Sequence, residues 1–185
     1  MKSIIIVFIL FFQLSFSQHD DIADYEIYSL ILTEQLKFGQ SDKTDSIVLV
    51  EINSVKMKTI DWWQFERDST LIARIAEEPE LKITIESISQ NIESQDQINT
   101  ILFNFENIHF KIITDKEQSI LIDEMNKKNK QSFIIRFSKV NYNGNFAAIT
   151  YSYYCGGRCA GEDMIIYEKI DNKWVLLTQI NLWIA

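Results

Sequence analysis

Both cysteines of the chain fall within one stretch, YYCGGRCAGED (residues 153–163), together with three of the five glycines. Two thiols so close together permit three chemistries: dithiol exchange, metal ligation or a cross-link. Dithiol oxidoreductases space their cysteines C-x-x-C, with the first thiolate at a helix N-terminus whose dipole lowers its pKa. Here the spacing is C-x-x-x-C, and the flanking runs have strand character. A metal centre needs two or more further ligands. His109 is the only histidine inside the expected fold, His19 lying in a polar lead-in, and the hard carboxylates of Glu162 and Asp163 are poorly matched to soft thiolates. The expectation is therefore a Cys155–Cys159 disulfide at a hairpin tip, with no metal and no cofactor. Gly156 and Gly157 allow the positive-φ turn that brings the two α-carbons within about 7 Å. So short a loop contributes roughly 2 kcal/mol in the chain-entropy picture, enough to fix the tip. Arg158 would stand outward on it, to bind an anion or to pair with Glu162 or Asp163.

Other constellations carry less. A Ser-His-Asp triad would need His109, which sits in ENIHFKI, a probable strand, and no glycine-framed serine elbow is present. Paired acids for glycoside hydrolysis are selected by their separation, and 26 acidic residues offer no basis for choosing two. DWWQFERD is more informative. Adjacent tryptophans point to different faces of a strand or helix, so Trp62 or Trp63 is a candidate for partial exposure. Large rigid aromatics bind peptide or carbohydrate surfaces at low entropic cost. Tyr153 and Tyr154, beside the cysteine loop, raise the same possibility. The alternative is core packing, the commoner fate of tryptophan.

The N-terminus, MKSIIIVFILFFQLSFSQHDD, has the layout of a secretory signal peptide: Lys2, an apolar run from Ile4 to Phe16, and small residues at Ser15 and Ser17. That run is shorter than the roughly 20 residues of a membrane-spanning helix. Cleavage after Ser17 gives residues 1–17 as signal and 18–185 as a single exported domain, periplasmic or extracellular, in a compartment where paired cysteines are oxidised. The formal net charge is −8, and loss of Lys2 takes it one unit lower. Such a surface disfavours nucleic acid and anionic membranes. Apolar residues at 46% and aromatics at 12% indicate a packed globule.

The elements that must position these residues are read from periodicity. Ile22, Tyr25, Tyr28, Leu32 and Leu36 follow helical spacing, with Gly39 as the cap. IVLVEIN (47–53) is a buried strand. DWWQFERDSTLIARIAEEP contains a helix capped by Asp61 or Asp68 and ending before Pro79. ELKITIESISQNIES places Leu81, Ile85, Ile88 and Ile92 on one helical face, with a strand as the alternative. Phe105 to Ile113 reads as strand. Thr114 and Glu117 form a capping box for a helix from Asp115 to about Asn126. SFIIRFSKV, NFAAITYSYY, EDMIIYEKI and KWVLLTQINLWI are then four strands, joined by an Asn143-Gly144 hairpin pair, the cysteine loop and DNK. Such short links make neighbours antiparallel. The fold class is α+β: a four-stranded antiparallel C-terminal meander with N-terminal helices over one face, comparable with cystatin-like or NTF2-like sheets. Phe133, Ile135, Phe137, Trp174, Leu176, Ile180 and Leu182 are expected to point inward.

CGGRCAG, KIDNKW and the terminal LWIA together resemble the C-terminal signature of a group of uncharacterised exported bacterial proteins. The matching positions are Cys155, Gly156, Gly157, Cys159, Gly161, Trp174, Trp183 and Ile184, over about the last fifty residues, with Ala185 in place of an expected serine. The resemblance implies the tip architecture and no catalytic role. The functional expectation is a non-catalytic exported binding domain whose partner is a protein, peptide or glycan. Its candidate binding residues are Arg158, Trp62, Trp63, Tyr153 and Tyr154. The competing class is an enzyme, either a thiol-disulfide oxidoreductase using Cys155 and Cys159 or a hydrolase whose site the sequence hides.

Overall fold

The computed structural model describes residues 22–34, 46–50, 65–66, 68–88, 98–103, 105, 109–128, 133–156 and 159–184. They belong to two compact units. The smaller contains helix α1 (residues 22–34) and the segment Asn99–Phe105. Tyr25 organises it. Its ring meets Tyr28 edge-on at 5.6 Å and Phe103 at 5.1 Å, and its hydroxyl accepts the Asn99 backbone N–H. Asn99 in turn caps a single 3₁₀ turn, Thr100–Leu102.

The larger unit is built on β1 (Ser46–Val50), α2 (Ser69–Glu77), α3 (Pro79–Ile88), β2 (His109–Ile113), α4 (Asp115–Lys128), β3 (Phe133–Phe137), β4 (Asn141–Asn143), β5 (Phe146–Gly156), β6 (Cys159–Ile170) and β7 (Lys173–Ile184). Local signals set most of the helix boundaries. The Asp68 carboxylate accepts the N–H groups of Thr70 and Leu71 at 3.1 and 3.0 Å, capping α2. Pro79, which lacks the N–H that a first turn leaves unused, opens α3. Thr114 and Glu117 exchange the reciprocal bonds of a capping box at 2.8 and 3.3 Å.

The strands make one seven-stranded sheet in the order β2-β1-β3-β5-β6-β7, with β4 also paired to β5. From β3 through β5 and β6 to β7 it is the expected antiparallel meander. β1 extends it on the far side, parallel to both β2 and β3, so the whole sheet is mixed. The chain leaves β1 and returns parallel to it at β2 after more than fifty residues that include α2 and α3, and α4 then carries it from β2 to β3 on the other side of β1.

The helices of this unit cover one face. Leu71 and Ile75 of α2 and Leu81, Ile85 and Ile88 of α3 pack on Phe146, Ala148, Met164, Ile166 and Ile180. Met125, Leu121 and Ile122 of α4 pack on Ile113, Ile134 and Tyr154. Phe146, Ala148 and Tyr154 alternate along β5 and so share that face. Arg74 ties α2 to the sheet, reaching Glu168 of β6 at 2.9 Å while Glu78 holds its other edge at 2.8 Å. The residues that alternate with these, Ile135, Phe137, Ala147, Ile149, Tyr151, Asp163, Ile165 and Tyr167, are buried on the opposite face.

Two expectations shift by one residue. Asn143 pairs with Phe146 as the end of β4, so the turn centre is Gly144-Asn145 rather than Asn143-Gly144. Gly144 takes the positive φ (+56°) of a glycine-first hairpin turn, and a Cβ there would run into the Glu80 carboxylate. On β7, a bulge between Ile166 and Tyr167 adds a residue, so Leu177 packs on the helix-covered core while Leu176 is 50% exposed. Ile135, Phe137 and Ile180 are buried as expected, and Leu182 is partly so. Trp174 is half-buried between the Tyr142 ring (5.7 Å) and Lys169 Nζ (5.2 Å).

Candidate functional site

The cysteine loop closes the β5–β6 hairpin. The ladder runs through Tyr153↔Gly161 and Tyr154↔Ala160, then slips by one residue to Gly156↔Cys159. The slip brings the α-carbons of Cys155 and Cys159 to 5.2 Å, and the sulfurs are bonded. Both thiols are therefore committed to the clip, and no free cysteine remains. Arg158, Trp62 and Trp63 lie outside the described residues.

Alternation along β5 sends the two tyrosines to opposite faces. Tyr154 packs against the α4 core, while Tyr153 stacks on Phe133 at 6.5 Å and leans on Tyr151 at 6.1 Å. Both remain half-exposed at the tip. Tyr153 reaches across the ladder over Gly161. A Cβ at position 161 would sit 2.7 Å from its hydroxyl and 3.0 Å from the Trp183 carbonyl, so the close approach of β5, β6 and β7 here requires glycine. Trp183, 44% exposed, is fixed by donating Nε1–H to Glu162 at 2.7 Å.

Beneath this surface lies an acid that the sequence suggested as an exposed partner for Arg158 and that the structure instead buries. Asp163 is only 4% exposed, in the β6 row that continues with Ile165 and Tyr167. Its Oδ2 accepts the Tyr151 hydroxyl at 3.0 Å and Gln179 Nε2 at 3.1 Å; its Oδ1 accepts Asn181 Nδ2 at 2.8 Å. One carboxylate thus bonds side chains from both neighbouring strands. Its donors are all neutral. Burial holds the Tyr151 phenol well above the ordinary range, and the Asp163 charge and hydrogen bond add to the shift. The Tyr153 phenol moves the same way, first through burial and then through Asp163. The signal was present: an acid at an inward position of an alternating apolar strand, opposite a tyrosine.

Chemically, the carboxylate is occupied by donors of its own fold, which suits it to holding geometry. Among the described residues, no three His, Cys, Asp or Glu side chains gather as metal ligands, and no helix is long and apolar enough to cross a membrane. His109 begins β2. Tyr153, Tyr154 and the two cysteines are brought together at one end of the sheet, where Trp183, Glu162 and the Asp163 cluster join them. No protein-family model, curated protein or solved structure matches the chain.

Proposed function

We propose that the protein is an exported, non-catalytic interaction domain that binds a protein, peptide or glycan partner at the clipped end of its sheet. The observation that carries this reading is that Tyr153 and Tyr154, on opposite faces, and Trp183 flank the end of a hairpin closed by Cys155–Cys159. Half-exposed aromatics on a rigid ladder offer contact area at little entropic cost. The signal-peptide layout of residues 1–17 and the resemblance of the tip sequence to that of exported bacterial proteins support export to the periplasm or beyond. A disulfide is at home there.

The test is a panel of arrayed peptides and glycans probed with the oxidised chain lacking residues 1–17, beside Trp183→Ala and Tyr153→Ala variants. Binding concentrated on one ligand class and lost in both variants supports the reading. Binding no better than background, or turnover of a disulfide substrate by the reduced chain, overturns it.

A further inference from the structure

Gln179 and Asn181 are exposed on β7, on the sheet face opposite the helices. Their amide orientation follows from chemistry. A carboxylate only accepts, so both side chains must turn their NH2 groups toward Asp163, and their carbonyl oxygens must point away from it. Asn181 Nδ2 also lies 3.5 Å from the Trp183 carbonyl, which holds it further in place. Among the described residues, neither side-chain carbonyl has a hydrogen-bond partner.

The electrostatics reinforce this. Asp163 is buried, and among the described residues its partners are three neutral donors, with no lysine or arginine in ion-pair contact. Hydrogen bonds stabilise the charge without cancelling it. Each amide dipole is aligned with its positive end on the carboxylate, so its negative end faces solvent. Beyond β7, the carboxylate charge and the two outward carbonyls therefore act with the same sign.

We propose that Gln179 and Asn181, ordered by Asp163, form a docking point for the lysine or arginine side chains of a basic peptide segment. The carbonyls accept the cation's N–H groups, and the buried carboxylate supplies the field. The chain's formal net charge of −8 draws such a partner in at long range. This inference rests on the interaction-domain reading and names the partner's chemistry.

The experiment titrates the oxidised full-length mature chain with a short oligolysine peptide by calorimetry, at low and at physiological salt. Oligoglutamate and a neutral Gly/Ser peptide serve as comparison ligands. A Gln179→Met/Asn181→Leu double variant, which also takes two donors from Asp163 and is used only with its circular dichroism spectrum and cooperative unfolding shown to be retained, is compared with Gln179→Met alone, which leaves the Asn181 bond to Asp163 in place, and with Glu77→Gln, which removes an exposed charge on α2. The expected result is oligolysine binding alone, weakened about tenfold in the double variant and less than twofold in Glu77→Gln. Absence of oligolysine binding, equal affinity in the double variant, or an equal loss in Glu77→Gln each overturns the proposal. Should the peptide and glycan panel still yield a ligand lost on Trp183→Ala, the basic-partner inference falls alone; if neither experiment shows binding, both fall.

Discussion

Asp163 and Asn181 face each other across the β6–β7 ladder, and the Asn181 amide donates to the Asp163 carboxylate at 2.8 Å. The pair joins the outermost strand of the meander to its interior. The same carboxylate reaches Tyr151 on β5, so three strands share one acceptor. Asp163→Ala removes that acceptor from all three donors and is expected to cost about 3 kcal/mol. Asp163→Asn keeps the shape but sets NH2 against NH2, and should cost roughly half as much. Urea unfolding checks both: the midpoint falls in that order at unchanged m-value.

The tyrosines make a pH prediction. The folded-state pKa of Tyr151 is raised above its unfolded value, first by burial and then by Asp163. The neutral phenol is the form the fold favours, so its contribution to stability is complete below the unfolded pKa of about 10 and is lost as pH rises past it. Ultraviolet titration should show Tyr151 still un-ionised when exposed phenols have ionised, with Tyr153 lagging less. Stability should decline at alkaline pH, and Tyr151→Phe should flatten that decline. Ionisation of all tyrosines together in the native state would contradict the buried cluster.

Gly161→Ala tests the packing of the tip. The added methyl meets the Tyr153 hydroxyl and the Trp183 carbonyl, and one of these is backbone and cannot swing aside. The substitution should cost about 1–3 kcal/mol and shift the fluorescence of Trp183. Tyr153→Phe in the same background should recover part of the loss.

The capping box of α4 responds at the acid end. Hydrogen bonds from Thr114 hold the Glu117 carboxyl below the usual glutamate range. A depressed folded-state pKa means the contribution is present above the unfolded value and disappears as pH falls through the folded one. The protection of the first-turn amides of α4, taken relative to their intrinsic exchange rate at each pH, should fall on acidification, and Glu117→Gln should remove that pH dependence.

Much of this fold was legible because the signals were local. The Asp68 cap, the Thr114–Glu117 box, the helical face of Leu81, Ile85 and Ile88, and the four β-rich runs all depend on residues a few positions apart. What stayed hidden depended on distant pairing. Nothing near Ser46–Val50 announces parallel neighbours at His109–Ile113 and Phe133–Phe137. The bulge that turns Leu176 outward exists only in the β6–β7 register. At the site, the paired cysteines were readable from composition and spacing. Asp163 was lost among 26 acids because its meaning comes from Tyr151, Gln179 and Asn181 on adjacent strands. Its outermost partners, Gln179 and Asn181, look like ordinary polar positions until their acceptor is seen.

The proposed function requires that Cys155 and Cys159 hold the shape of the clipped end of the sheet rather than exchange electrons with a substrate. The reduction potential of that pair, measured against a glutathione or dithiothreitol series on the oxidised mature chain, tests it most directly. A value below about −300 mV, the range of structural disulfides, is the result predicted. A value near −200 mV with rapid exchange, the behaviour of catalytic dithiols, would contradict it.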